Sequence, residues 1–435
     1  MASTYLSRTP TTTNQKTATL SFWIKKAKTV AENDELFCFG LYPSLNTRLY
    51  FRDGADLNKL ALDNYGGSTL GFVTNQLFRD YSAWYHIVVA FDTTQTTDTN
   101  RLKLYVNGEQ VTSFASINYG SLNDNLAFNN SSSVNYIGKN HQPKYFDGSM
   151  ADVYFIDGLA YDASTFGSFD STTGIWKPNT APTVTYGTNG FNLKFTNGAD
   201  AGEDFSGNNN DLATNGTPTQ TLDCPSNVFA TFNPVDRSGG TVTTYSNGNL
   251  TVKHNAGNNG AVCAQRSTLA ISKGKWYWEA KCISAGGDVR IGIISMSSSN
   301  YATSSNPFTP NECYNYKQTG EKGSSGPTDV AYGATYTAND IIGVAYNADT
   351  GSLTFYKNGT SQGVAFSGLD TSLTWGAFST EYNQGEYAYN FGNGFFGTTA
   401  VVSAGTNAGV GTFEYDVPAG YYALCTKNIN TQEYS

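Results

Sequence analysis

The chain has 435 residues, enough for two or three domains, and only 14% of them are charged against 14% aromatic; that aromatic supply excludes a disordered chain. Its 26 basic and 35 acidic residues give a net charge of −9, against a nucleic-acid binder, which needs a basic stripe to displace counterions from phosphate. No apolar run is long enough to insert in a membrane, and the start, MASTYLSRTPTTTNQKT, lacks the apolar stretch of a secretory signal, so the chain is expected to be made and assembled in a cytoplasm.

Taken in chain order, apolar residues recur with period two in short runs separated by Gly, Asn, Asp and Ser, the pattern of β-sandwiches. The clearest predicted strands are 19–24 (TLSFWI), 84–91 (WYHIVVAF), 101–106 (RLKLYV), 152–156 (DVYFI), 275–282 (KWYWEAKC), 341–346 (IIGVAY) and 352–357 (SLTFYK). Helical periodicity is nearly missing, so the fold class is all-β. A faint repeat supports two sandwiches of related architecture. RLKLYVNGEQV (101–111) and GSLTFYKNGTSQGV (351–364) both read as an alternating strand, an Asn-Gly turn and a return strand; Asn-Gly suits the type I′ turn, whose two central residues need positive φ. The expected organisation is one domain over 1–170, a connecting segment rich in Asn, Thr and Gly over 171–235, a second domain over 236–397, and a C-terminal segment, 398–435, that completes or extends the second sandwich.

Catalytic patterns are weak. Glycosidic cleavage needs two carboxyl groups flanking the bond, and the only acid-dense stretch, Glu32 to Glu35, reads as a solvated turn with Asp34 and Glu35 on opposite faces. There is no G-x-S-x-G elbow and no H-E-x-x-H. His86 shares a strand face with Trp84 and Val88 and reads as a packed strand histidine; Trp276 and Trp278 likewise read as core. Six scattered cysteines without a C-x-x-C pair exclude zinc and redox motifs and read as buried free thiols, with one or two disulfides open if the protein ends up outside a cell. No enzyme is expected.

Two binding candidates remain. In DFSGNNND the oxygen side chains of Asp204, Ser206, Asn208, Asn210 and Asp211 have a spacing that suits calcium, a hard cation with oxygen ligands; the alternative is an Asx-turn loop stabilised by its own side chains. Calcium is the one cofactor the sequence raises. The aromatic-rich stretch 299–337, with Tyr301, Phe308, Tyr314, Tyr316 and Tyr332 among Asn, Ser and Thr, reads as a ligand-contacting loop whose rings would stack on sugars.

Several of these pieces are similar to known families. TATLSFWIKK, WYHIVVAFD, RLKLYVNGEQV and FDGSMADVYFIDGLAYDASTFG resemble a laminin-G/concanavalin-A-like lectin domain. GKWYWEAKC, VRIGIISM and NDIIGVAYNADTGSLTFYKNGTSQGVAF resemble a SPRY domain, in which variable loops form the ligand surface. The tandem, with DFSGNNNDL and DCPSNVFATFNP between the modules and PAGYYALCTKN near the end, resembles tail-fibre or virion-surface proteins of aquatic bacteriophages. That resemblance implies a non-catalytic adhesion protein on a virion surface that recognises a host-surface glycan or protein receptor. It also implies a homo-oligomer, a trimer by analogy, touching other virion proteins but neither nucleic acid nor membrane. A structural decoration or filament subunit and a cellular surface adhesin are the alternatives.

Overall fold

The computed structural model describes residues 4–27, 33–66, 69–238, 243–255, 263–298, 312–324, 329–381 and 383–433. The chain divides into two compact units, Met1–Gln220 and Thr221–Ser435.

In the first unit an eight-stranded antiparallel sheet runs in the order Phe114–Asn118, Gly71–Leu77, Lys59–Tyr65, Asn46–Phe51, Asp34–Gly40, Asn135–Ile137, Tyr5–Arg8 and Ala213–Asn215. A six-stranded sheet runs Phe191–Leu193, Gly148–Asp157, Thr17–Lys26, Tyr85–Asp92, Leu102–Val106 and Glu109–Gln110. Because side chains alternate across a strand, Leu20, Phe22 and Ile24 meet Phe37, Leu49 and Phe51 in one buried core between the sheets. At the predicted hairpin turn, Asn107 and Gly108 take φ of 49° and 85°, as a type I′ turn requires.

The second unit repeats the scheme. Phe232–Ser238, Cys263–Ile271, Trp375–Glu381, Arg290–Ser295, Cys313–Lys317, Glu321–Gly323 and Val330–Ala331 make a seven-stranded sheet. The facing sheet runs Thr243–Ser246, Thr251–His254, Glu386–Asn390, Lys275–Ser284, Ile341–Asn347, Ser352–Lys357 and Thr360–Phe366. Trp276 and Trp278 are fully buried in the core between them, and the second Asn-Gly turn, Asn358 and Gly359, also has two positive φ angles of 47° and 77°.

Each unit also covers the outer face of one sheet with a late segment. In the first, Ala163, Phe166, Trp176, Val184 and Tyr186 pack over Val88, Tyr154 and Ile156. Residues 171–220, expected to connect two domains, therefore belong to the first sandwich. The apolar residues of that stretch are spaced too irregularly to announce a strand, yet they complete a buried layer. In the second unit Phe413, Val417 and Ala423 pack over Tyr277 and Ala345, and Tyr422–Ala423 pairs in parallel with Lys275–Ser284. The C-terminal segment thus completes the sandwich and ends in a helix, Thr426–Glu433, that the sequence pattern did not announce. All six cysteines are free thiols, five of them buried.

Candidate functional site

A groove of about 540 Å³ opens on the outer face of the eight-stranded sheet. Its floor follows from register. Asp63 pairs with Arg48, and Arg48 with Cys38, so these residues form a row across three strands, while their neighbours Leu49, Phe51 and Leu62 point the other way into the core. Pairing of Leu62 with Phe72 sets Gly71 beside Asp63, and the missing side chain there leaves the depression. A Cβ on Gly71 would lie 2.4 Å from the Leu62 carbonyl oxygen.

The wall is aromatic. Tyr42 and Tyr65 are 45% and 49% exposed, their ring centroids are 4.8 Å apart, and Tyr42 stacks on His141 at 5.0 Å. Gly40 permits this placement: it has φ of 86° and begins the tight turn closed by the Leu41 N–H to the Leu45 carbonyl. A Cβ at Gly40 would fall 2.0 Å from the Leu45 carbonyl oxygen. Asn46, Asn118 and Gln142 add polar groups around the opening.

Charge in the groove centres on Arg48. Its guanidinium reaches Asp63 Oδ2 at 3.0 Å and the buried Glu35 Oε1 at 3.2 Å, and lies 4.3 Å from the Tyr50 ring centroid. The Tyr50 hydroxyl donates to Asp63 Oδ2 at 2.6 Å. Asn140 Nδ2 donates to Glu35 Oε1 at 2.9 Å. Burial pushes the Glu35 carboxyl up to about 7, with Arg48 and Asn140 opposing. The phenol of Tyr50 is raised by burial and by Asp63. Burial, then Arg48, lowers His141.

This site was not singled out from the sequence, and one expectation about it is corrected. Asp34 and Glu35 are not in a solvated turn: they lie in the Asp34–Gly40 strand and are fully buried. Asp34 Oδ1 accepts the Asp147 N–H, and Glu35 Oε1 is held by Arg48 and Asn140, contacts that offset part of the cost of burying these carboxyls. Two alternating runs on neighbouring strands, Asn46–Arg48–Tyr50 and Asp63–Tyr65, were the available signal.

The residues proposed from sequence fall elsewhere. Tyr301 and Phe308 lie outside the described residues. Tyr314 and Tyr316 are not in a loop but on the Cys313–Lys317 strand, 9% and 0% exposed. Both side chains serve the core, as the packing of Tyr316 on Phe355 and of Tyr314 on Trp375 shows. Tyr332 packs on Tyr316 at 5.3 Å, and its hydroxyl is within hydrogen-bonding reach of the Phe355 N–H. These tyrosines consolidate the sheet rather than face a ligand.

The Asp204 loop closes on itself. Asp204 Oδ1 accepts from the Asn192 and Ser206 amides, and Oδ2 accepts from the Ser206 hydroxyl and the Asn210 amide. Asp211 Oδ1 accepts the Asp204 N–H, and the Asn208 and Asn210 amides donate to carbonyls of 187–190. Arg8 donates to Asn210, placing a guanidinium beside the loop. The geometry matches the Asx-turn alternative, since both Asp204 oxygens and one oxygen each of Asp211, Ser206 and Asn210 already accept hydrogen bonds. Among the described residues no group of three or more His, Cys, Asp or Glu side chains is arranged to hold a metal.

His86 is a packed strand histidine. Its Nε2 is 2.9 Å from Ser21 Oγ, its Nδ1 accepts from the Trp176 indole at 3.0 Å, and the ring stacks on Trp23 at 4.8 Å. Burial pushes it down to about 3, so it is a neutral clamp for the covering segment.

Comparison with known proteins assigns the two sandwiches. Residues 2–162 match the concanavalin A-like lectin/glucanases superfamily, and residues 275–393 match the SPRY domain. The chain carries a concanavalin A-like domain and a SPRY domain. Among curated proteins it is similar to Ran-binding protein 9 of Xenopus tropicalis, 34% identical over 133 residues, which covers 29% of this chain and 24% of that protein. Ran-binding protein 10 of Danio rerio is 34% identical over 101 residues, 23% of this chain and 17% of that one. The chain thus spans about a quarter or less of the length of these relatives. The crystal structure of the SPRY domain of human HERC1 is 14% identical, with a TM-score of 0.30, covering 36% of this chain and 96% of that one.

Proposed function

We propose that this is a non-catalytic adhesion protein that recognises a surface glycan through the groove of its concanavalin A-like domain. The observation that carries the reading is the pairing of exposed Tyr42 and Tyr65 with Asp63, Arg48 and polar amides around one depression. Flat aromatic faces take the C–H surface of a sugar ring while carboxylate, guanidinium and amide groups bond its hydroxyls. Hydrolysis is disfavoured because only Asp63, of the lining residues, bears a carboxyl; Glu35 lies fully buried against Arg48, and cleavage needs two carboxyl groups at the bond.

The setting we propose is a bacteriophage virion surface, a tail or capsid fibre facing its host; support for it is the order of the modules and the segments joining them. Several copies on one particle would raise weak sites to useful avidity. The SPRY half offers a second reading, recognition of a protein receptor, favoured by the similarity to Ran-binding proteins. The test is binding of the purified protein to host cells before and after periodate oxidation of surface sugars. The glycan reading expects periodate and the Tyr42→Ala/Tyr65→Ala pair each to abolish binding. Binding that survives both would overturn it in favour of a protein receptor.

A further inference from the structure

The buried carboxyl beneath the groove has no role in the reading above, and its position gives it one. Glu35 is fully buried and shares the Arg48 guanidinium with Asp63, at 3.2 and 3.0 Å. It also accepts from Asn140, whose neighbours His141 and Gln142 line the groove. One carboxylate therefore holds both the cation at the groove floor and the loop that forms a wall.

We propose that Glu35 is a positioning residue that makes the groove select uncharged, hydroxyl-rich saccharides over acidic ones. The inference rests on the glycan reading of the groove. Arg48 and Asp63 are the charged side chains that line the groove, and they cancel. An ionised Glu35 beneath them puts a second carboxylate on Arg48 and leaves the cluster net negative, so a carboxylate or sulfate on a sugar meets no uncompensated cation. Such a group would have to draw Arg48 away from two carboxylates at once.

The groups that face Glu35 come from three strands and one loop. Its own strand contributes Cys38, whose thiol is pushed up by burial. The Asn46–Phe51 strand contributes Arg48 and Tyr50, Tyr50 being the register partner of Glu35. The Lys59–Tyr65 strand contributes Asp63, and the loop after Asn135–Ile137 contributes Asn140 and the more distant charge of Lys144, with His141 close enough to Arg48 to feel its charge. Burial raises Glu35 to about 7, while burial and Arg48 lower His141 from its ordinary 6.5. Protonation of Glu35 releases Arg48 toward the groove, so acidic saccharides gain affinity as pH falls through about 7 while neutral ones do not.

The experiment compares neutral gluco-oligosaccharides with glucuronate oligosaccharides of equal length on the full chain, by titration calorimetry at pH 6 and pH 8. In the native protein the neutral series binds equally at both pH values, and the uronate series binds more weakly, by about fivefold more so at pH 8. In Glu35→Gln the uronate penalty, taken relative to the neutral series on the same variant, shrinks by about fivefold and loses its pH dependence. A uronate series that binds as well as the neutral one, or whose pH dependence survives in Glu35→Gln, overturns the proposal and leaves the groove intact as a glycan site. The native pH profile needs no variant, so a poorly folding Glu35→Gln does not rescue it. Binding of neither series would instead remove the glycan reading on which the proposal stands.

Discussion

Glu279 is the pin of the C-terminal cover. It sits on the Lys275–Ser284 strand, facing away from the core that holds Trp276 and Trp278, and is fully buried. Its Oε2 accepts the Glu414 N–H at 2.9 Å and its Oε1 the Tyr415 N–H at 3.0 Å, with the Tyr277 hydroxyl at 3.3 Å. Glu279→Ala leaves two backbone donors without acceptors, each costing about 1–3 kcal/mol. Loss of the buried charge offsets part of this, leaving about 2–4 kcal/mol, or roughly 30- to 900-fold faster amide exchange at Tyr415. Hydrogen exchange with mass spectrometry reads the 413–425 peptide directly. The pH dependence has a definite sign. Burial raises Glu279 from its ordinary 4.5 to about 7, so the folded state holds a proton that the unfolded chain has lost between these values. Stability from this group falls as pH rises from about 4.5 to 7, by up to about 3 kcal/mol at 1.36 kcal/mol for each pH unit. Glu279→Gln keeps one acceptor and removes that slope. Exchange at Tyr415 unchanged within about twofold in Glu279→Ala would refute the reasoning, since two part-buried donors cannot lose a fully buried acceptor at so small a cost.

Trp176→Phe should loosen the cover of the first unit by about 1 kcal/mol by leaving His86 Nδ1 unbonded, measured as faster exchange in residues 163–178. His86 itself is lowered to about 3, so the stability it contributes is full above its ordinary 6.5 and declines as pH falls toward 3; a His86→Leu variant should lose that acid-side slope in denaturant titrations. Asn358→Ala should destabilise the second hairpin by about 1–2 kcal/mol, because Asn358 combines positive φ with a side chain that accepts the Ile341 N–H and donates to Asp340; an effect below about 0.5 kcal/mol in urea unfolding would contradict the turn assignment. Thiol titration should find Cys224, the one cysteine that is not fully buried, reacting first in the native protein, and all six after denaturation.

The sequence announced the strands that bury one or both faces and left the rest in shadow. Period-two runs such as TLSFWI and SLTFYK became strands at nearly their expected bounds, and the two Asn-Gly turns adopted the expected geometry, because both signals are local. The covers at 163–186 and 413–425 were illegible as layers: their apolar residues reach distant strands, and nothing in their own spacing says so. Glu35 misled for a related reason. An acid in an acidic stretch reads as solvated until Arg48, thirteen positions on, and Asn140, more than a hundred positions on, are brought to it. Tyr314 and Tyr316 misled in the opposite direction, since a tyrosine-rich stretch between polar residues suits a ligand loop and a sheet interior equally. The groove stayed hidden because its parts come from four strands and three of the segments between strands, and only register aligns Asp63, Arg48 and Cys38.

The most direct test of the central claim is a binding footprint. The full chain would be saturated with a neutral host-surface oligosaccharide and its hydrogen exchange compared with the free protein. Binding at the groove predicts protection in 41–48, 62–73, 116–118 and 140–142, with the second unit unchanged. Protection confined to the SPRY domain, or none at a saturating concentration, would contradict it.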